Sequence, residues 1–213
     1  MLLDCMGMRK AVTILFLLGC AFATAAAAAT FNPAPKSGPA GLEGIPIPQV
    51  PVLAPPQEVK LGESIDGIKC QIIEKLAFHI HAHLAIFVKG KQRQIPFGIG
   101  IGPPWRGENF AAGPFVTSGS CFMWLHTHAA DGIIHMEAPK QISFVLGDFF
   151  DIWGQKLSRT QVGPAKGRVT ALVDGKIYPG NPRNIPLKRH EEIQLDVGTP
   201  LVAMQTIKFS PGL

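Results

Sequence analysis

Ala77-Phe78-His79-Ile80-His81-Ala82-His83-Leu84-Ala85-Ile86-Phe87-Val88 is the stretch whose reading decides the fold. It is rich in β-formers, contains neither glycine nor proline, and is long enough to cross a sheet. Lys89-Gly90 follows, and glycine accepts the positive φ of a tight hairpin. Residues 92–97 read as the returning strand. Working outward, residues 68–74, 121–128, 133–137, 168–173, 176–178, 192–197 and 201–209 also read as strands, and Asp174-Gly175 is a second hairpin signal. Residues 105–118 read as a loop. Phe149, Phe150 and Trp153 fall three and four apart, which predicts a short helix near 147–153 with Asp148 at its start. The expected fold is therefore mostly β: antiparallel hairpins forming a small sandwich or barrel-like domain with one short helix.

The chain has 213 residues, of which 46% are hydrophobic and only 16% charged, enough for one well-filled core. Its first 29 residues read differently from the rest. Arg9 and Lys10 form a basic start, residues 11–23 are apolar, and small residues run on to Ala29. That order is a secretory signal peptide, cleaved near Ala29. The apolar run is short for a membrane span, so no integral span is expected. The alternative to cleavage at Ala29 is a lipid anchor at Cys20, after the loose lipobox Leu17-Leu18-Gly19. Residues 30–57 carry prolines at 33, 35, 39, 46, 48, 51, 55 and 56 and read as an extended arm, with Ile45, Ile47 and Val50 able to lie along the domain. Residues 58–213 form the single β-rich domain.

Loss of Arg9, Lys10 and Asp4 leaves 18 basic and 14 acidic residues, net +4. The basic residues are scattered among turns rather than gathered on one face with aromatics, which argues against nucleic acid as a partner. Of four cysteines only Cys70 and Cys121 survive cleavage. In an oxidising periplasmic or secreted setting they are expected to form one disulfide.

Six of the seven histidines fall in two groups: His79, His81 and His83, then His126, His128 and His135. Alternate residues of a strand share a face, so each group presents its imidazoles together. Asp131-Gly132 as a two-residue loop would pair His128 with His135 and His126 with Glu137. A four-residue loop would place His126 opposite His135. Either register keeps His126, His128, His135 and Glu137 on one face, with opposed Cβ atoms about 4.5–5.5 Å apart. Imidazoles at that spacing suit a transition metal ion, copper or zinc. The expected ligands are His81, His126, His128 and His135, with His79, His83 and Glu137 as lesser candidates, and Glu137 or Asp131 as an outer hydrogen-bond acceptor. The bland reading of any one HxH pair is a solvated edge or a hydrogen-bonded core feature.

The stretches FHIHAHLAIFVKGKQRQIP, CFMWLHTHAADGIIHMEAP and FVLGDFFDIWGQ resemble a widespread set of uncharacterised, mostly exported bacterial proteins with an HxH strand followed by an HTHxxxGIIHxE segment. The likeness covers roughly residues 65–155 and extends more weakly to the tail. His126, His128, His135 and Glu137 match its pattern, while Ala129-Ala130 stands where some members carry an acid. The resemblance implies export and implies no activity. Three functions remain open: an exported metal-binding protein, a metal-dependent periplasmic hydrolase or oxygen-handling enzyme with Glu137 as base, and a non-metal structural or binding module. There is no HExxH, GxSxG or P-loop, and the glycines of residues 97–102 do not match a dinucleotide fingerprint.

Overall fold

A computed structural model describes residues 30–213. The expected signal peptide, with Cys20, lies outside the described residues. The long stretch quoted above forms β1 (Phe78–Val88), and Lys89-Gly90, both at positive φ, turn it into β2 (Lys91–Arg93). β3 (Leu125–His126) and β4 (Ile133–Ala138) follow, then α1 (Leu146–Trp153), β5 (Val169–Val173), β6 (Lys176–Tyr178) and β7 (Glu192–Val197). These strands make one sheet in the order β3-β4-β1-β7-β5-β6, with β2 also paired to β1. The fold is mostly β with one short helix and several small antiparallel ladders, as expected. Within this sheet every pair is antiparallel except one: β7 lies parallel to β1, with Glu192 beside His83 and Val197 beside Val88.

Period-two alternation sorts the sheet into two faces. Ala82, Leu84 and Ile86 of β1, Ile134 and Met136 of β4, and Ile193, Leu195 and Val197 of β7 enter one core with Phe149, Phe150 and Trp153 of α1. The helix therefore buries the aromatics that predicted it. Asp148 sits inside its first turn, and its carboxylate accepts from the Val145 N–H. The opposite face carries His79, His81 and His83 on β1, His135 and Glu137 on β4, and Glu192, Gln194 and Asp196 on β7, as the pairings require.

That polar face is covered by irregular chain. The 30–57 segment lays Ile45 and Ile47 down as buried side chains and bridges Val52 to Gln94. Residues 201–209, expected as a strand, form only the two-residue ladder of Leu201–Val202 with Phe31–Asn32. Side chains of β7 replace the missing ladder. Asp196 accepts from Val202 N–H, Gln194 from Gln205 N–H and Glu192 from Ile207 N–H. Buried polar side chains here satisfy backbone donors that a strand would otherwise pair.

Two further expectations change. Residues 105–118 are a hairpin, Arg106–Phe110 against Gly113–Ser118, with an irregularity at Arg106/Gly107. The 121–128 strand is broken into Cys121–Phe122 and Leu125–His126. Its second part is held from outside by the glycine-rich turns: Met123 N–H donates to Gly100 O, Thr127 N–H to Ile99 O and Gly98 N–H to Thr127 O. Gly100 has φ +71°, and a Cβ there would stand 2.3 Å from Leu125 O, so only glycine permits this approach. Cys70 and Cys121 form the disulfide, with Cα atoms 5.4 Å apart.

Candidate metal centre

β4 lies between β3 and β1, and its register decides what meets what. His126 pairs with His135 on one side, which is the four-residue-loop register. On the other side His81 pairs with His135 and His79 with Glu137. The HxE of β4 thus stands between two HxH segments. His83 pairs with Ile133, so the same parity takes it two residues beyond the polar pairs. It is buried beside Gly132, outside both convergent groups.

Two groups of donor atoms converge within 4.8 Å: His126, His128, His135 and Glu137, and His79, His81 and His135. The expected ligands His126, His128 and His135 stand together with Glu137, while His81 joins through His135. All are buried except His79, whose side chain is 36% exposed and lines a surface depression of about 670 Å³ with Lys188 and Arg189.

The ring orientations follow from the outer contacts. His126 Nδ1 lies 2.9 Å from Met123 O, and His128 Nδ1 lies 2.6 Å from Val116 O. A carbonyl only accepts, so both Nδ1 atoms carry the proton and both Nε2 atoms present a lone pair. Those two Nε2 atoms face each other at 3.1 Å. Val116 belongs to the hairpin that the sequence did not announce, and its own N–H donates to His128 O. His135 Nε2 lies 3.0 Å from Glu43 Oε1, which turns Nδ1 toward His81 Nε2 at 3.1 Å and Glu137 Oε1 at 3.7 Å. Glu137 Oε1 also lies 3.2 Å from His79 Nε2 and 3.8 Å from His126 Nε2. Glu74 Oε1 is 3.6 Å from His128 Nε2.

Glu43 and Glu74 carried no sequence signal as site residues: Glu43 lies outside any periodic element, and Glu74 ends the stretch 68–74 expected as a strand, of which only Ile68–Lys69 forms. Glu43 comes from the proline-rich segment, two residues before the buried Ile45. Asp131, expected as an acceptor for a ligand, acts at one remove. Its Oδ1 accepts from Ile133 N–H, and its side chain meets Glu43. Burial and the Glu43 charge push the Asp131 carboxyl up to about 8, so it is protonated at neutral pH.

Burial holds most of the imidazoles neutral. It carries His83 and His128 down to about 4 and His81 to about 2, and lowers His126 strongly. His135 is the exception. Burial alone would lower it, but contacts with Glu137 and Glu43 raise it to about 9. Glu43 Oε2, Glu137 Oε2, His79 Nε2, His81 Nδ1 and His135 Nε2 are buried without an aligned hydrogen-bond partner. Such crowding of unpaired polar atoms is costly and calls for a further charged group.

These donors fit a transition metal ion. Two nitrogens 3.1 Å apart, each about 2.0–2.1 Å from one ion, subtend roughly 100° at it, within the range of four-coordinate sites. Among the described residues no thiolate is free to bind, because Cys70 and Cys121 are bridged. The Met123 side chain lies in the opposite core.

The metal-free protein should be most stable near pH 6.5. Five imidazoles with lowered pKa, His79 among them, contribute stability above their unfolded value of about 6.5 and lose it as pH falls through their folded values. Raised His135 contributes below about 6.5 and loses it as pH rises through 9; protonated Asp131 likewise loses its contribution up to 8. Denaturation midpoints measured without metal from pH 4.5 to 9 should therefore peak and fall on both sides, more steeply in acid. A profile flat to pH 5 would contradict buried neutral imidazoles.

No protein-family model, curated protein or solved structure matches the chain.

Proposed function

We propose that this chain is an exported transition-metal-binding protein, periplasmic or secreted, which takes copper or zinc at the histidine cluster. The observation that carries the reading is the pair of Nε2 lone pairs of His126 and His128 facing each other at 3.1 Å, with each Nδ1 fixed on a backbone carbonyl. Two neutral imidazoles repel in that arrangement unless a cation lies between them. Fixing the second ring nitrogen is also how a protein orients a metal ligand. Imidazole and carboxylate donors without thiolate suit zinc or copper(II) better than copper(I). Export is supported by the basic and apolar order of residues 9–29 and by the disulfide, which forms in oxidising compartments. The pattern that carries the resemblance to exported bacterial proteins is then a ligand pattern, and membership of that set is part of the proposal.

Burial of the cluster favours holding an ion over turning over a substrate. A metal-dependent hydrolase or oxygen-handling enzyme is the second reading, favoured only by the depression beside His79, through which a small molecule would have to approach. In that case Glu137 would be the base, although its Oε1 is already within 3.8 Å of three imidazole nitrogens.

The test uses exported protein without a histidine tag. Its N-terminus should begin near Thr30, and elemental analysis after equilibration and gel filtration should find copper or zinc retained at pH 7. Protein that retains neither ion overturns the function. A lipidated start at Cys20 would move the anchor and leave the metal reading standing.

A further inference from the structure

We infer that the cluster is built for two metal ions side by side, with His135 and Glu137 between them. This rests on the metal-binding reading above and deepens it. Strand order supplies the argument. β4 carries His135 and Glu137 and is flanked by His126 and His128 on one side and by His79 and His81 on the other. The two flanking pairs cannot change places, because β4 separates them. One convergent group contains His126 and His128, the other contains His79 and His81, and His135 belongs to both.

Distances within the cluster agree with this division. His126 Nε2 and His128 Nε2 are 3.1 Å apart, and His81 Nε2 and His135 Nδ1 are also 3.1 Å apart. Each pair is close enough to share an ion at about 2.0–2.1 Å. Glu137 Oε1 reaches toward both halves, 3.8 Å from His126 Nε2 and 3.2 Å from His79 Nε2. Carboxylates that span two ions are a common feature of paired sites, where the ions sit about 3.5–4 Å apart.

The donor count points the same way. A four-coordinate ion uses four of the six side chains His79, His81, His126, His128, His135 and Glu137. The two left over would remain as unpaired polar groups at the site, with His81 Nδ1 already lacking a partner. Two ions, each taking one HxH pair, with Glu137 spanning them and the inward Nδ1 of His135 given to one, leave none of the six unused. Glu43, Glu74 and Glu137 bring three carboxylates to the cluster, which offset most of the charge of two divalent cations. His79, partly exposed at the surface depression, gives the second ion its route in.

The experiment is a stoichiometric titration of the untagged chain carrying H190A, which removes the exposed histidine as a rival ligand. Copper(II) and zinc(II) are each added alone, and bound metal is counted after gel filtration. Two ions per chain are expected, and the copper-loaded form should show spin intensity below two isolated copper(II) centres because neighbouring ions couple. The H79N/H81N variant should retain one ion and give an uncoupled copper signal of full intensity. One ion per wild-type chain overturns the pair and leaves the metal-binding function intact. No retained ion overturns both. Two ions with uncoupled spectra, or a variant that still binds two, would also overturn the shared site. If H79N/H81N fails to fold, the wild-type count and spin intensity decide alone.

Discussion

Replacing His135 with alanine is expected to weaken metal binding more than any other single change, by well over a hundredfold in Kd. His135 is the only residue common to both convergent groups, and it sits on the middle strand between the two HxH segments. Its loss removes the one donor within reach of both halves and leaves Glu43, which faces its Nε2 at 3.0 Å, without its imidazole partner. Loss of an outer partner alone typically costs ten- to a hundredfold in affinity. Glu43→Gln should therefore fall in that lower range, and H128A between the two. H190A is the control, since His190 stacks on Phe209 and contacts Leu213 O away from the cluster. Competition titrations against a chromophoric chelator at pH 7 would rank the four. H135A affinity within tenfold of wild type would exclude His135 as a ligand.

Removing the disulfide is the second large effect. Cys70 and Cys121 are 51 residues apart in sequence, and closing such a loop restricts the unfolded chain by roughly 4 kcal/mol on the chain-entropy account, with about 2–4 kcal/mol typical of measurement. The bridge also ties the chain just ahead of β1 to the chain just ahead of His126. Gln71 pairs with Phe122 through the backbone, and its side chain accepts from Trp124 Nε1. The C70A/C121A variant should lose about 2–4 kcal/mol in denaturant unfolding. A loss below about 1 kcal/mol would mean that the surrounding ladder holds the segments without it. Metal affinity should fall only modestly, because no cysteine touches the ion.

Much of this was legible in the sequence, for a local reason. Strand alternation is a property of the chain itself, so the shared faces of His79 and His81 and of His135 and Glu137 follow from spacing alone. The Lys89-Gly90 and Asp174-Gly175 turns follow from the preference for positive φ, and the helix from the three- and four-residue spacing of its aromatics. The hairpin of residues 105–118 was hidden because Gly107, Gly113 and Pro114 interrupt the alternation that marks strands. The break after Phe122 was hidden too, since it comes from hydrogen bonds to the distant turns at Gly98 and Gly100.

What the sequence determined by itself is which side chains could act together: two HxH pairs, one HxE and one cysteine pair. Only tertiary structure decided which of them do. Strand order is a non-local choice, and placing β4 between β3 and β1 is what turns two histidine pairs into one cluster. Register is decided the same way, and it sets His83 opposite Ile133 and so outside the cluster. Glu43 and Glu74 arrive from chain that is irregular in the fold, where nothing but its packing over the polar face brings a carboxylate to an imidazole. The unusual protonation of the site, with His135 raised while its neighbours are lowered, arises from that same burial, from Glu137 on the same strand and from the approach of Glu43. Burial and approach are properties of the folded surface, and a one-dimensional pattern carries neither.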